Sequence, residues 1–151
     1  MIAWMTFSAM ALAGLVTSAL PFTAWYVADT PTGPVSTAGI DVAGELWTLV
    51  AAGALTVGVA VFTMVRRHGG APTPRAALLV AAVLCALAVG WALQNVLDIP
   101  AVLEVLRAGG EVTRVDPDLV QAAVEPAAYL GVAAPAIGGM SALTRLLEEG
   151  S

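Results

Sequence analysis

Charged residues in this chain are confined to a few short segments. Between them lie four uninterrupted uncharged stretches, Met1 to Ala28, Leu46 to Val65, Ala76 to Leu97 and Pro126 to Thr144. A helix needs about 20 apolar residues to cross a hydrocarbon core about 30 Å thick, and each stretch is close to that length or longer. The pattern predicts an all-α integral membrane fold, a single domain of four transmembrane helices over about 2–21, 46–65, 76–97 and 126–144. Outer loops at 28–45 and 98–125 and a short loop at 66–75 join them.

Polar and turn residues refine these elements. Pro21 closes or kinks the first span. Trp25, Tyr26 and Trp47 fit an aromatic belt at the outer membrane face, while Arg66 and Arg67 anchor the inner end of span two. The first outer loop is rich in Pro, Thr, Gly and Ser and shows no helical period; an extended piece within 36–42, around Ile40 and Val42, is the most it suggests. Gly69-Gly70 and Pro72/Pro74 make a tight turn, so spans two and three form an antiparallel hairpin. In the second outer segment Ile99, Val102, Leu103 and Leu106 repeat at i, i+3, i+4, i+7, with Glu104 and Arg107 on the other side. That spacing predicts a short amphipathic helix ending at Gly109-Gly110. Asp116 as N-cap and Pro117 at the first helical position predict a second helical piece, Pro117 to Val124. The expected cap between helices three and four is therefore helical. Pro135, inside span four, removes the hydrogen bond to Gly131 and predicts a kink.

Composition supports the bilayer as solvent. The chain is 59% hydrophobic and only 11% charged, with a mean hydropathy of +0.88, against about 25% charged in soluble domains. All six basic residues are arginine, which with the abundant alanine hints at a high-GC, actinobacterial source. The 66–75 loop holds Arg66, Arg67, His68 and Arg75 and no acid. The positive-inside rule makes it cytoplasmic, giving a multi-pass plasma-membrane protein with both termini inside. The first span lacks the positive n-region of a signal peptide, although Thr17-Ser18-Ala19 is small enough to be cleaved after.

Candidate chemistry is sparse. Ionisable groups inside spans mark proton relays and ion paths, and none lies away from the span ends. A proton-coupled exporter would need an intramembrane carboxylate, a haem protein paired histidines, and a thiol oxidoreductase a cysteine pair. The chain has one histidine, His68, and one cysteine, Cys85, the latter read as a small packing residue. Asp116-Pro117-Asp118 resembles a D-x-D metal motif, but an N-cap with a first-turn acid explains it as well. The expectation is no catalytic, cofactor or metal site, and no nucleic-acid partner. Arg66, Arg67 and His68 are candidates for contact with anionic headgroups of a bound phospholipid.

Small residues recur at i, i+4: Ala127, Gly131, Pro135 and Gly139 in span four with Ala134, Gly138 and Ala142 beside them, Ala82, Ala86 and Gly90 in span three, and Ala54 and Gly58 in span two. Such faces let helix backbones approach closely. Span four has two of them, so Gly131, Pro135, Gly138, Gly139 and Ala127 are the expected packing or partner surface.

Leu20-Pro21-Phe22, the Gly/Ser/Thr-rich loop after it and the arginine-terminated second span resemble small uncharacterised actinobacterial four-helix membrane proteins of the type associated with tryptophan-biosynthesis operons. The resemblance covers roughly residues 10–97; those proteins usually carry tryptophan where this chain has Phe22. It implies a four-helix fold and brings no catalytic residues. The layout also resembles claudin-like proteins, but the first-loop cysteine pair of that family is absent. The expected function is a non-catalytic accessory subunit of a larger membrane complex. The alternative is a stand-alone transporter or lipid-handling protein, a homodimer with a pocket at the Pro135 kink.

Overall fold

The structure, a computed structural model, describes residues 2–110 and 120–148. Four long apolar helices dominate it: α1 (Ile2–Ala19), α3 (Trp47–His68), α4 (Arg75–Leu97) and α6 (Pro126–Glu148). All four are long and apolar enough to cross a membrane. They alternate in direction, which leaves the 69–74 turn, the start of α1 and the end of α6 at one end of the bundle, the hairpin end. The remaining elements gather at the other.

Around the bundle, α1 packs on α3 and α6, and α4 packs on α6 and α3. Large apolar residues fill its two ends. Phe7, Met10 and Leu78 lie towards the hairpin end, and Leu20, Leu46 and Leu49 towards the other. The waist between them is built of small residues. A β-carbon at Gly138 would lie 3.3 Å from Cys85 Sγ on α4, 3.4 Å from Ala13 on α1 and 3.8 Å from Thr56 on α3, so all four helices meet there. Thr17, Thr56 and Thr63 are buried, but each hydroxyl donates to a carbonyl one turn earlier (Ala13, Ala52 and Val59, 2.7–2.8 Å), which satisfies all three donors within their own helices. Helix α6 runs unbroken through Pro135, which is itself buried.

The end opposite the hairpin carries a three-stranded antiparallel sheet in the order β2-β1-β3. Its strands are β1 (Ala24–Thr30), β2 (Gly33–Ala38) and β3 (Ala122–Val124). The expected all-helical cap is thus corrected. The first outer loop supplies a hairpin, turning at Pro31-Thr32 with Gly33 at φ 127°. Ile40 and Val42 are not extended but lie in a single helical turn, α2 (Gly39–Val42). Residues 122–124, expected in a helix, form the strand that pairs Tyr26 with Val124 and Ala28 with Ala122. The expected helix start at Asp116 and Pro117 lies outside the described residues.

Helix α5 (Val102–Ala108) is present where the amphipathic spacing predicts it, and it packs on β1 and β2. It begins at Val102, so Ile99 falls before it and is exposed, as is Leu103. The buried face is Val105 and Leu106, with Val102 half-buried. Gly109 closes the helix directly against the Val35 side chain, with no room for a β-carbon.

The sheet is anchored by Trp25 and Tyr26, both fully buried, so neither forms an exposed interfacial belt. Successive strand residues normally point to opposite faces, and two adjacent buried aromatics would conflict with that rule. A β-bulge between Ala24 and Tyr26 resolves the conflict by re-aiming Trp25. Its ring is held between two glycines: a β-carbon at Gly131 would lie 2.5 Å from the indole, and one at Gly39 2.8 Å from it. Its Nε1–H donates to the Leu20 carbonyl (2.7 Å), which the turn around Pro21 has freed from the α1 ladder. The exposed aromatic pair at this rim is instead Phe22 and Trp47, edge to face at 5.6 Å.

Candidate functional site

Three elements converge beside the sheet to form a polar cleft of about 330 Å³. From β1, Tyr26 reaches its floor, and its hydroxyl donates to the Asn95 carbonyl at 3.1 Å. The turn before α3 sets Glu45 at its wall; Leu46 N–H closes on the Ala43 carbonyl (3.0 Å), and Thr48 Oγ1 donates to the Glu45 carbonyl (2.6 Å). The last two turns of α4 contribute Trp91 and Asn95, its C-cap contributes Asp98, and the first turn of α5 contributes Glu104. Among the described residues, three carboxylates therefore line the cleft and no base does. Glu45 and Glu104 stand at helix N-termini, where the dipole favours them. Asp98 caps the C-terminus of α4, where it does not. Departures of this kind from local preference are expected where a surface serves something other than stability.

Burial pushes the Tyr26 phenol up to about 12, and the neighbouring Glu45 carboxylate adds to the shift. Folding therefore favours the neutral phenol. Stability from this group is complete below about pH 10, where the unfolded chain keeps its phenols protonated, and is lost as pH rises towards 12. In a Tyr129→Phe background, the remaining phenol should ionise only near pH 12 in the folded protein, read by ultraviolet difference absorbance. A transition near pH 10 before unfolding would contradict the burial of Tyr26.

The cleft continues into an apolar groove of about 360 Å³ along the outward face of α4, and the two share Trp91 and Gln94. Ala86, Leu87 and Gly90 complete the groove. Gly90 is the informative residue, because a β-carbon there would meet nothing within 4 Å. Glycine inside a helix is about 1 kcal/mol less favourable than alanine, and no neighbour among the described residues requires it. Gly58 on α3 is open in the same way, with exposed Ala54 a turn before it.

Span four is the reverse. Gly131 lies against Trp25, Gly138 and Gly139 against Cys85, and Pro135 is buried, while Ala127 is half-buried. Both of its small faces pack inside the chain, so of the packing or partner role expected for Gly131, Pro135, Gly138, Gly139 and Ala127 it is internal packing that the structure shows. Arg66 and Arg67 are exposed, Arg66 with its guanidinium 5.6 Å from the Phe62 ring centroid. Among the described residues no group of three or more His, Cys, Asp or Glu side chains is placed to hold a metal ion.

Sequence reasoning did not single out the cleft. Tyr26, Glu45, Asn95 and Glu104 lie on four separate segments, and only the sheet brings them together. The one local signal was Gln94-Asn95 with Asp98, a polar end to an otherwise apolar span. No protein-family model, curated protein or solved structure matches this chain.

Proposed function

We propose that this is a multi-pass plasma-membrane protein with both termini cytoplasmic, acting as a non-catalytic accessory subunit of a larger membrane complex. Its partner surface is the outward face of α4 together with the acidic cleft above it. The four apolar helices support insertion, and the hairpin arginines support the orientation. One observation carries the subunit reading: an open glycine, Gly90, lies in an apolar groove that leads into a cleft lined by Glu45, Asp98 and Glu104. A partner helix lying along α4 would meet small residues that let backbones approach. A basic residue at the outer end of that helix would meet carboxylates and the Trp91 ring.

Tagged protein extracted from native membranes in mild detergent should be recovered within a larger assembly. Gly90→Leu should raise the stability of the isolated protein by up to about 1 kcal/mol through helix propensity and yet reduce partner recovery at least about tenfold, the effect of 1.4 kcal/mol in association. Recovery of the wild type as a lone monomer or homodimer would overturn the reading.

A second reading, a stand-alone lipid-handling protein, is supported by a shallow groove of about 260 Å³ between α1 and α6. Its floor is Ala13 and Ala134 and its walls include Leu12 and Ile137, beside Pro135. Solitary protein carrying stoichiometric lipid would favour it.

A further inference from the structure

We propose that the groove between α1 and α6 holds one acyl chain of a bilayer phospholipid as a fixed part of the structure. Its two lining strips, from Ala9 to Val16 on α1 and from Leu130 to Ile137 on α6, each repeat at i, i+3, i+4, i+7. Each strip therefore runs two turns, about 10 Å, along its helix. The two helices are antiparallel, so the groove of about 260 Å³ between them lies along the bundle axis and not across it. Alanine makes the floor: Ala13 and Ala134 are each only 7% exposed. Branched side chains make the rims, with Leu12, Val16, Leu130 and Ile137 exposed by 37–64%.

Depth and rim height decide the occupant. No charged residue occurs on α1, or on α6 before Arg145. Exposed aromatics stand near the helix ends, Trp4 and Phe62 towards the hairpin and Phe22, Trp47, Trp91 and Tyr129 towards the sheet, the levels such rings take at the two faces of a bilayer. The groove lies between those levels and is continuous with the apolar flank of α1 and α6, so hydrocarbon meets it in an inserted protein. A second helix is held off. Packed helices bring their backbones together through small residues, and here the small residues are sunk behind branched rims. The face of α4 is the reverse, because Gly90 itself is exposed. An unbranched chain is slim enough to lie between the rims on the alanine floor, where it gains many weak dispersion contacts at once. Tyr129, one turn before Ala133 and exposed, stands at the sheet end of the groove, an amphipathic ring suited to the level where chain meets headgroup. The site rests on the membrane insertion proposed above and not on the subunit reading.

The test places the full chain in phosphatidylcholine vesicles doped with a phosphatidylcholine that carries a mid-chain diazirine. After irradiation, adducts are located by mass spectrometry of the digested protein. They should concentrate on residues 9–16 and 130–137, at least about fivefold over the exposed α3 residues Leu55 and Val61, the effect of roughly ten extra carbon–carbon contacts. Ala9→Leu with Ala133→Leu fills the groove and should lower that share by a similar factor. Ala51→Leu, on the exposed face of α3, should leave it unchanged. Even labelling over α1, α3 and α6, an unchanged share in the double variant, or an equal fall in Ala51→Leu overturns the site. So does a Leu12→Cys chain that oxidises in full to a disulfide-linked dimer in the same vesicles, since a second copy then sits on the groove. If the double variant does not fold, Ala133→Leu alone decides, and an unchanged share there also overturns the site. Alkaline carbonate extraction separates the two readings. Protein released from the membrane overturns insertion and the site together, while retained protein with even labelling overturns the site alone.

Discussion

Gly131→Leu should cost about 3 kcal/mol or more of stability, the upper range for overpacking a filled core, and should detach the sheet from the bundle. The position has no spare volume. Even a β-carbon would lie 2.5 Å from the six-membered ring of the Trp25 indole, and Gly39 approaches the five-membered ring as closely, 2.8 Å for its own β-carbon. The indole cannot swing away without breaking its bond to the Leu20 carbonyl and the bulge that aims it. Trp25→Ala should itself cost about 3–5 kcal/mol. Combined with Gly131→Leu it should cost less than the sum by at least about 1 kcal/mol, because the two residues share one volume. Denaturant melts in detergent followed by tryptophan fluorescence measure all three. Strict additivity would mean that Gly131 serves something other than the indole.

Gly53→Ala should cost about 2 kcal/mol, and Gly53→Leu more, through the crossing of α1 and α3. Here the obstacle is backbone. A β-carbon at Gly53 would lie 2.5 Å from the Gly14 carbonyl oxygen and 2.7 Å from the Ser18 nitrogen, and would also strike the Ser18 hydroxyl. Relief requires the helices to separate, which breaks the bond from Ser18 Oγ to the Val50 carbonyl (3.1 Å). Gly58→Ala is the matched control. It lies five residues on in the same helix, meets nothing within 4 Å, and should stabilise by up to about 1 kcal/mol through helix propensity alone. Equal effects at the two glycines, by the same melts, would refute the assignment of Gly53 to a backbone contact.

The long helices were legible because the thickness of a hydrocarbon layer sets a length that few other structures need. Residues 76–97 and the start at Pro126 agree with α4 and α6 to within one residue. Helices α3 and α6 run about a turn past their apolar stretches, to His68 and Glu148, since arginine ends hydrophobicity without ending a helix. The sheet was not legible. Trp25 and Tyr26 at the end of a span read equally well as an interfacial belt, and Ala122-Ala123-Val124 is too short and too rich in alanine to announce a strand. Its pairing with β1 joins Tyr26 to Val124 and Ala28 to Ala122, positions about two thirds of the chain apart, a relation that local pattern does not encode. The small-residue faces were visible, but which of them the chain keeps for itself depended on where one indole ring lies. The cleft inherited both difficulties, for Tyr26 reaches Asn95 only because the bulge turns its neighbour away.

The position of β3 also sets an order of assembly. The chain is made from its N-terminus, so β1 and β2 exist as a hairpin long before residues 122–124 are synthesised, and until then one edge of β1 has no mate. Trp25 likewise has no Gly131 to rest on while only the first three long helices exist. The segment from β3 into α6 therefore supplies both the closing strand and the seat for the indole, and folding of the sheet end is complete only after Gly131 has been made. A nascent chain halted before residue 120 carries an open strand edge and an unburied tryptophan side by side, the features by which quality-control factors distinguish unfinished proteins from finished ones.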